Sequence, residues 1–463
     1  MGHFHADFVP TSRGFDSWYG YFSSFTSYLS HVGDYGLCVD GVSCFEDFNW
    51  NGAPLHHESG KYSTELFAQH AVDVVAAHDA SKPLFLYFAP TACHGPVVAP
   101  LELMERHRDA LARVPNHQRR IYAACMLGLD DGVGRLEGAL REARLWNDTF
   151  FIFTSDNGAV PTISQGGSNW PLRGQKLEVY EGGVRVPAFV HSPLLPRARR
   201  GARYAGLMHI SDWARTLVEG LLGGEFALAG ADGLLADSYD QMDAIFGRGA
   251  TPRETMLVNA DGCDGTRAQG AVRVGELKLV VESANSTWWP VPTNAEPPHA
   301  FTAFGPAAPL VGAQLFNLSA DPREELDLSR ARPDLVARLN ATFERFASVL
   351  ADALYCPIQT GSGADDHIRV WREHNSTVGP WIQDPLYQYE CSKLYCPAPS
   401  PTRAPTFTPY PTPFPSYAPT APSSSAAAAD AAIFAADGGR PHGSDDTTLA
   451  GGRGGALPSD DAS

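Results

Sequence analysis

Three short stretches of the chain carry residue types that could do chemistry together. Thr91-Ala-Cys-His94-Gly-Pro96 sets an imidazole on a constrained loop, directly after the apolar run Leu84-Phe-Leu-Tyr-Phe-Ala89. Ser155-Asp156-Asn157-Gly158 follows a second apolar run, Phe150-Phe-Ile-Phe153, and places a carboxylate beside an amide oxygen. Hard cations such as Ca²⁺ or Mg²⁺ take that oxygen set. Asn169-Trp-Pro-Leu-Arg173-Gly-Gln-Lys176 then leads into Tyr180-Glu181-Gly-Gly-Val-Arg185-Val-Pro187, with Lys176 and Arg185 on a Gly-rich segment. A cation, a divalent metal and a histidine together suit an anionic ester substrate. Each stretch alone is ambiguous. Asp-Asn-Gly is also a common turn, a lone His after a strand is often a hydrogen-bonded structural residue, and Arg173 and Arg185 read best as structural or surface ion pairs.

The elements that must position these residues follow from periodicity. Leu84–Ala89, introduced by Pro83 and ended by Pro90, has the pattern of a buried strand. Tyr122, Cys125, Met126, Leu129, Val133, Leu136 and Leu140 recur at spacings of three and four, which predicts one face of a long helix. Leu145 and Trp146 close it, and Phe150–Phe153 is a second buried strand. Helix followed by apolar strand, repeated, predicts an α/β sheet with helices on its faces. In such sheets ligands gather beyond the carboxyl ends of the strands, where His94 and Asp156 fall. Short runs around Met256–Asn259, Gly275–Val281 and Ala313–Asn317, then a helix over about 333–354, predict a smaller α+β unit.

Composition narrows the function. The 463 residues are 44% hydrophobic and 19% charged, enough for a large core. A formal charge of -17 argues against nucleic acid and against a polybasic membrane surface as partners, since both need a cationic footprint. No stretch is long and apolar enough to be a transmembrane segment, and no signal peptide is visible. Five Asn-x-Ser/Thr sequons, at Asn147, Asn285, Asn317, Asn340 and Asn375, use five of only twelve Asn residues. With eight cysteines, they point to a glycoprotein of an oxidising compartment, secreted or in a lysosomal or vacuolar lumen. Residues 397–422 hold ten prolines in 26 positions, and the rest to Ser463 lacks periodicity. Residues 397–463 are therefore expected to be a disordered tail.

Seven segments, taken in order, resemble the type I sulfatases, most of all the arylsulfatase B branch. They are Pro10-Thr-Ser-Arg13-Gly-Phe-Asp16, Lys82–Tyr87 with His94, Leu145–Thr149, Phe153–Gly158, Asn169–Lys176 with Glu181–Arg185, His209-Ile-Ser-Asp212, and Asp321-Pro-Arg-Glu-Glu-Leu-Asp327-Leu. The resemblance implies an alkaline-phosphatase-like fold, with a large mixed sheet flanked by helices and a smaller C-terminal α+β domain with an antiparallel sheet. The corresponding division is a catalytic domain at 1–250, a C-terminal subdomain at 251–355, a Cys-containing extension at 356–396 and the tail. The implied reaction is hydrolysis of a sulfate ester, on a sugar by this branch, at a Ca²⁺ site with a formylglycine nucleophile. Position by position, Asp156 and Asn157 match metal ligands, and His94 and Lys176 match groups that hold the sulfate and assist the leaving oxygen. The resemblance also places a disulfide at Cys38–Cys44, which bracket a short loop, and leaves Cys356 without its family partner.

The pattern breaks in one place. The formylglycine motif, C-x-P-x-R or S-x-P-x-R, occurs nowhere in the sequence, and neither do the paired aspartates that complete the metal set. By register, Met1 stands at the Leu of the family's G-K-W-H-L-G motif, so the expectation is a chain lacking the N-terminal part. His3 and His5 are not that motif's residues. A catalytically inactive sulfatase-like protein that binds glycans or partner proteins is the alternative.

Overall fold

The computed structural model describes residues 9–348, apart from 23–25, 34–37, 40–42, 45, 162–165, 226–237, 262–268, 284–285, 287 and 289–311. The tail, the 356–396 extension, Asn285, Asn375, Cys356, His3 and His5 lie outside the described residues.

Two helices carry the core behind the candidate site. Helix α1 spans Ser63–Ala77 and α2 spans His117–Glu142. Asn116 caps α2, its side chain accepting from Arg119 N at 2.9 Å, which satisfies one of the donors a helix start leaves open. The face of α2 expected from spacing is there, with Cys125, Leu129, Leu136 and Leu140 buried. Met126, though, is 37% exposed, and Gly128 and Gly132 take buried positions instead. A Cβ on Gly132 would stand 2.8 Å from the Cβ of Ala68 in α1, so the helices approach too closely for a side chain there. An apolar count cannot register glycine as a contact residue.

Leu84–Ala89 is extended but forms only half of the buried strand its composition suggests. Leu84, Leu86 and Phe88 pack on Ala71, Val75, Leu136, Leu140 and Trp146 of the helical core. Phe85 and Tyr87, on the opposite face, are 66% and 73% exposed. Among the described residues no ladder joins this segment to another strand. The second expected strand, β1, runs Phe151–Thr154 and pairs antiparallel with β2, Ala188–His191. Phe153 and Phe189 are register partners whose rings stack with centroids 5.0 Å apart.

The later part is a four-stranded antiparallel sheet. Strands β3 (Thr255–Asp261), β4 (Gln269–Val274), β5 (Leu277–Val281) and β6 (Ala313–Asn317) lie in the order β6-β5-β4-β3. The expected run over Gly275–Val281 is shortened at its start, because Gly275 opens the two-residue turn between β4 and β5 with φ +56°. A two-residue hairpin turn requires positive φ there, which glycine adopts without strain. Alternation then sends Val272, Leu279, Val281 and Leu315 to one face, against Leu339 and Phe343 of helix α3 (Pro333–Ala347). Ala271, Val280 and Phe316 face the other way, against Val179 and Tyr180.

Of the described sequons, Asn147 is exposed in a short 3-10 turn, while Asn317 and Asn340 are half-buried. Cys38 and Cys44 are register partners in a two-stranded pair; their side chains are not among those described. Among the described residues no helix is long and apolar enough to cross a membrane.

Candidate active site

The fold brings two of the sequence-identified residues into direct contact. Lys176 Nζ lies 3.3 Å from His94 Nε2, across 82 residues of sequence. His94 Nδ1 is 2.7 Å from the carbonyl of Gly95. A carbonyl only accepts, so Nδ1 carries the proton and Nε2 is the lone pair that receives the ammonium. The turn holding the ring is fixed by His94 N donating to Thr91 O at 2.7 Å, and by Tyr28 Oη donating to His94 O at 2.9 Å. Tyr28 stacks on Tyr62, which hydrogen-bonds Val98 O and so braces the outgoing strand of the loop.

Asp156 and Asn157 follow β1, as their place after an apolar run required. Asp156 Oδ1 accepts from Asn157 N at 2.8 Å, and the Asn157 amide donates to Gly158 O at 3.0 Å. Asp156 Oδ2 and Asn157 Oδ1 make no hydrogen bond among the described residues. These are hard oxygens of the kind Ca²⁺ takes, but that ion needs six to eight. No group of three or more His, Cys, Asp or Glu that could hold a metal occurs among the described residues. The donors fit in type and not in number, so no chemical step is routed through a metal.

Two tyrosines that sequence reasoning passed over belong to this neighbourhood. Burial raises the Tyr21 phenol, and the carboxylates of Asp47 and Asp156 add to the shift, opposed by a hydrogen bond with Thr91. Burial, with smaller contributions from Cys93 and Cys125 and then Asp156, pushes Tyr122 up to about 12. Both phenols therefore stay protonated donors near Asp156. Tyr122 was visible only as a core residue of the helix face, and Tyr21 had no periodic signal.

Backbone contact, rather than side-chain packing, locks the Asp156 and Lys176 loops together. Gly158 N donates to Gly183 O at 2.8 Å, and Gly182 N to Arg173 O at 2.6 Å. A Cβ on Gly158 would fall 1.8 Å from Gly182 O, and one on Gly182 would fall 2.4 Å from Gly174 O. Asn169 pins the same loops, accepting from Ala159 N at 2.7 Å and donating to Ala159 O and Gly174 O. This is why the Asn169–Lys176 and Glu181–Arg185 segments are Gly-rich: chain must lie directly on chain.

The remaining charged residues of the matched segments are structural. The Arg173 guanidinium is buried, donates to the carbonyls of Ser286 and Glu324, and lies over the rings of Tyr180 and Trp288. Arg185 is exposed and pairs loosely with Glu181 at 3.9 Å. Asp212 forms a fully buried ion pair with Arg253 at 2.6 Å. In the Asp321–Asp327 stretch, Glu324 is the working residue: it accepts from Glu181 N and pairs with Lys278 at 2.9 Å. Lys278 also pairs with Glu181 at 2.9 Å. Of the three cations read from the sequence, only Lys176 reaches the histidine.

The sulfatase family model matches residues 1–223. Arylsulfatase J of Mus musculus is 32% identical over 411 residues, covering 83% of this chain and 63% of that protein. N-acetylgalactosamine-6-sulfatase of Sus scrofa is 34% identical over 203 residues, or 42% of this chain and 36% of its own length. The chain thus spans less than two thirds of these relatives. Among solved structures, that of Ps i-CgsB superposes with a TM-score of 0.56 at 24% identity, covering 74% of this chain and 68% of its own, and it shows the shared alkaline-phosphatase-like fold. Over residues 1–223 this chain is similar to the sulfatase family, and its described residues have the alkaline-phosphatase-like fold.

Proposed function

We propose that this chain carries the sulfate-binding half of a sulfuric ester hydrolase of the arylsulfatase type, acting on a sulfated sugar. The observation that carries the reading is the Lys176–His94 pair at 3.3 Å. It sets an ammonium and an imidazole beside the Asp156–Asn157 loop. In this reading Lys176 holds a sulfate oxygen by a charge-assisted hydrogen bond. Its donation to Nε2 keeps the pair oriented, and the Lys176–His94 pair assists the departing sugar oxygen with a proton from the ammonium. Tyr21 and Tyr122 supply neutral donors at the rim.

The nucleophile in this proposal is a formylglycine on a segment outside the 463 residues. Asp156 and Asn157 would give a Ca²⁺ two of its oxygens. The sugar rests on a relative's name, N-acetylgalactosamine-6-sulfatase, and on the arylsulfatase B-like segments. The charge of -17 favours chain ends and short oligosaccharides over long polyanions. Residues 1–250 form the catalytic region in this scheme and 251–355 its C-terminal support, in a secreted or lysosomal/vacuolar glycoprotein with a Cys38–Cys44 disulfide.

Calorimetry of the chain with N-acetylgalactosamine 6-sulfate and with the unsulfated sugar tests the binding half. Lys176→Ala should weaken the sulfated ligand by about tenfold or more, since a hydrogen bond to a charged group is worth roughly 1.5–3 kcal/mol. Equal affinity for the two sugars, or a wild-type-like variant, would reject the assignment. The missing C-x-P-x-R motif favours a second reading, a sulfatase-like protein that retains sulfated glycans without cleaving them. Sulfate release by a polypeptide that joins this chain to a segment bearing the motif would decide for the hydrolase.

A further inference from the structure

Cys93 stands one residue before His94, on the turn that Tyr28 anchors, and Cys125 lies on the buried face of α2. Both side chains enter one cluster with Tyr28, Tyr62, Val97 and Leu103. Cys93 Sγ is 4.0 Å from the carbonyl of Tyr122, one turn of α2 ahead of Cys125. Burial raises the Cys93 thiol, and each thiol shifts the other's titration, Cys93 upward and Cys125 downward. Cys125 Sγ lies 3.5 Å from Tyr62 Oη and 3.9 Å from Tyr28 Oη. Two buried thiols could be mere packing, since free cysteine behaves as a small hydrophobe. These two, however, reach one cluster from a loop and a helix separate in sequence, in a chain whose sequons point to an oxidising compartment.

We propose that Cys93 and Cys125 form a disulfide that fastens the His94 turn to α2. A small-molecule disulfide is the oxidant. Half-exposed Cys93 meets it first and attacks one of its sulfurs, and the electron pair of the broken S–S bond leaves on a thiolate that takes up the Cys93 proton. Cys125 then attacks Cys93 Sγ, forming the Sγ–Sγ bond and expelling a second thiolate, which takes the Cys125 proton. The two cysteines lose two electrons and two protons; the small disulfide becomes two thiols. The division of roles follows from the environment. Cys93 is the more accessible of the two and meets the oxidant, while buried Cys125 meets only Cys93 and so acts as the resolving nucleophile. The tether limits motion of the loop that carries the imidazole.

Peptide mapping of the full chain, secreted from a eukaryotic host and alkylated under denaturing, non-reducing conditions, tests this directly. The peptides containing Cys93 and Cys125 should be recovered joined to each other. Recovery of both as alkylated thiols, or of either joined to a different cysteine, overturns the proposal. Cys93→Ser should leave Cys125 alkylated and speed amide exchange at residues 91–95 several-fold. Unchanged exchange there would overturn the tethering role. Should that variant fail to fold, the wild-type map still decides.

Discussion

The loops around Lys176 and the sheet after residue 255 achieve order by opposite means. The sheet is built from side chains: alternate residues of β4, β5 and β6 fill two apolar layers, one against α3 and one against Val179 and Tyr180. The loops are joined to each other by main chain pressed on main chain at Gly158, Gly182 and Gly183, and among the described residues only Val179 and Tyr180 anchor them to the sheet by apolar side chains. A packed layer can absorb a lost methyl group by partial collapse. A backbone junction at van der Waals contact has no such slack, which is what a site needing a fixed ammonium–imidazole distance requires. The two constructions meet at a buried group of charges, Lys278 with Glu181 and Glu324, and beside it at Arg173.

The largest effect should come from breaking that meeting point. Lys278→Met leaves two buried carboxylates without their cation, which costs about 3–5 kcal/mol in comparable pairs. Chemical denaturation should show that loss, accompanied by loss of sulfated-sugar binding, because Glu181 opens the segment that packs on the Lys176 loop. A variant destabilised by less than 1 kcal/mol would mean that the two regions are energetically separate.

Gly158→Ala should come next. Its methyl group falls inside the carbonyl of Gly182, so the Asp156 and Lys176 loops must part, at about 1–3 kcal/mol. Amide exchange should rise at 156–160 and 173–183 and stay unchanged in β4 and β5. A uniform rise across both regions would erase the distinction drawn between them.

The smallest effect is a pH dependence at the junction. Burial raises the Glu324 carboxyl above its ordinary 4.5, with Lys278 pulling the other way. A raised folded value means the folded state holds a proton more tightly than the unfolded chain. The group's contribution to stability is therefore full below 4.5 and declines as pH rises through the raised value. Glu324→Gln should flatten the melting profile in that window by no more than about 1.4 kcal/mol per pH unit. Profiles that run parallel would show that Glu324 is not the titrating group.

Legibility in the sequence follows the same divide. Short runs between turns located three of the sheet's four strands and missed Gln269–Val274, while period-three-to-four spacing located α2, because side-chain burial is what that period records. The strand at 84–89 was half-legible. Its composition is apolar on both faces, but only Leu84, Leu86 and Phe88 find partners among the described residues. In the site, His94 and Lys176 were singled out by residue type and given roles by a family resemblance, and their contact is a tertiary fact that no spacing encodes. Arg173 and Arg185, beside Lys176, read best as structural or surface ion pairs. Arg173 instead serves packing, and Arg185 stands exposed with a loose pair to Glu181. Tyr21 and Thr91 left no trace, being single residues in irregular segments.

Arg173 has a consequence for cooperativity. Its guanidinium lies over Tyr180 and Trp288 while donating to carbonyls at 286 and 324, so one side chain is shared by segments more than a hundred residues apart. Any fluctuation that swings the 173–183 segment outward must extract that cation from its rings and strand two carbonyls. Wide opening of that segment therefore also frees the chain around 286 and 324. The exposed approach to Lys176 is thereby exempt from the fraying that surface loops ordinarily show.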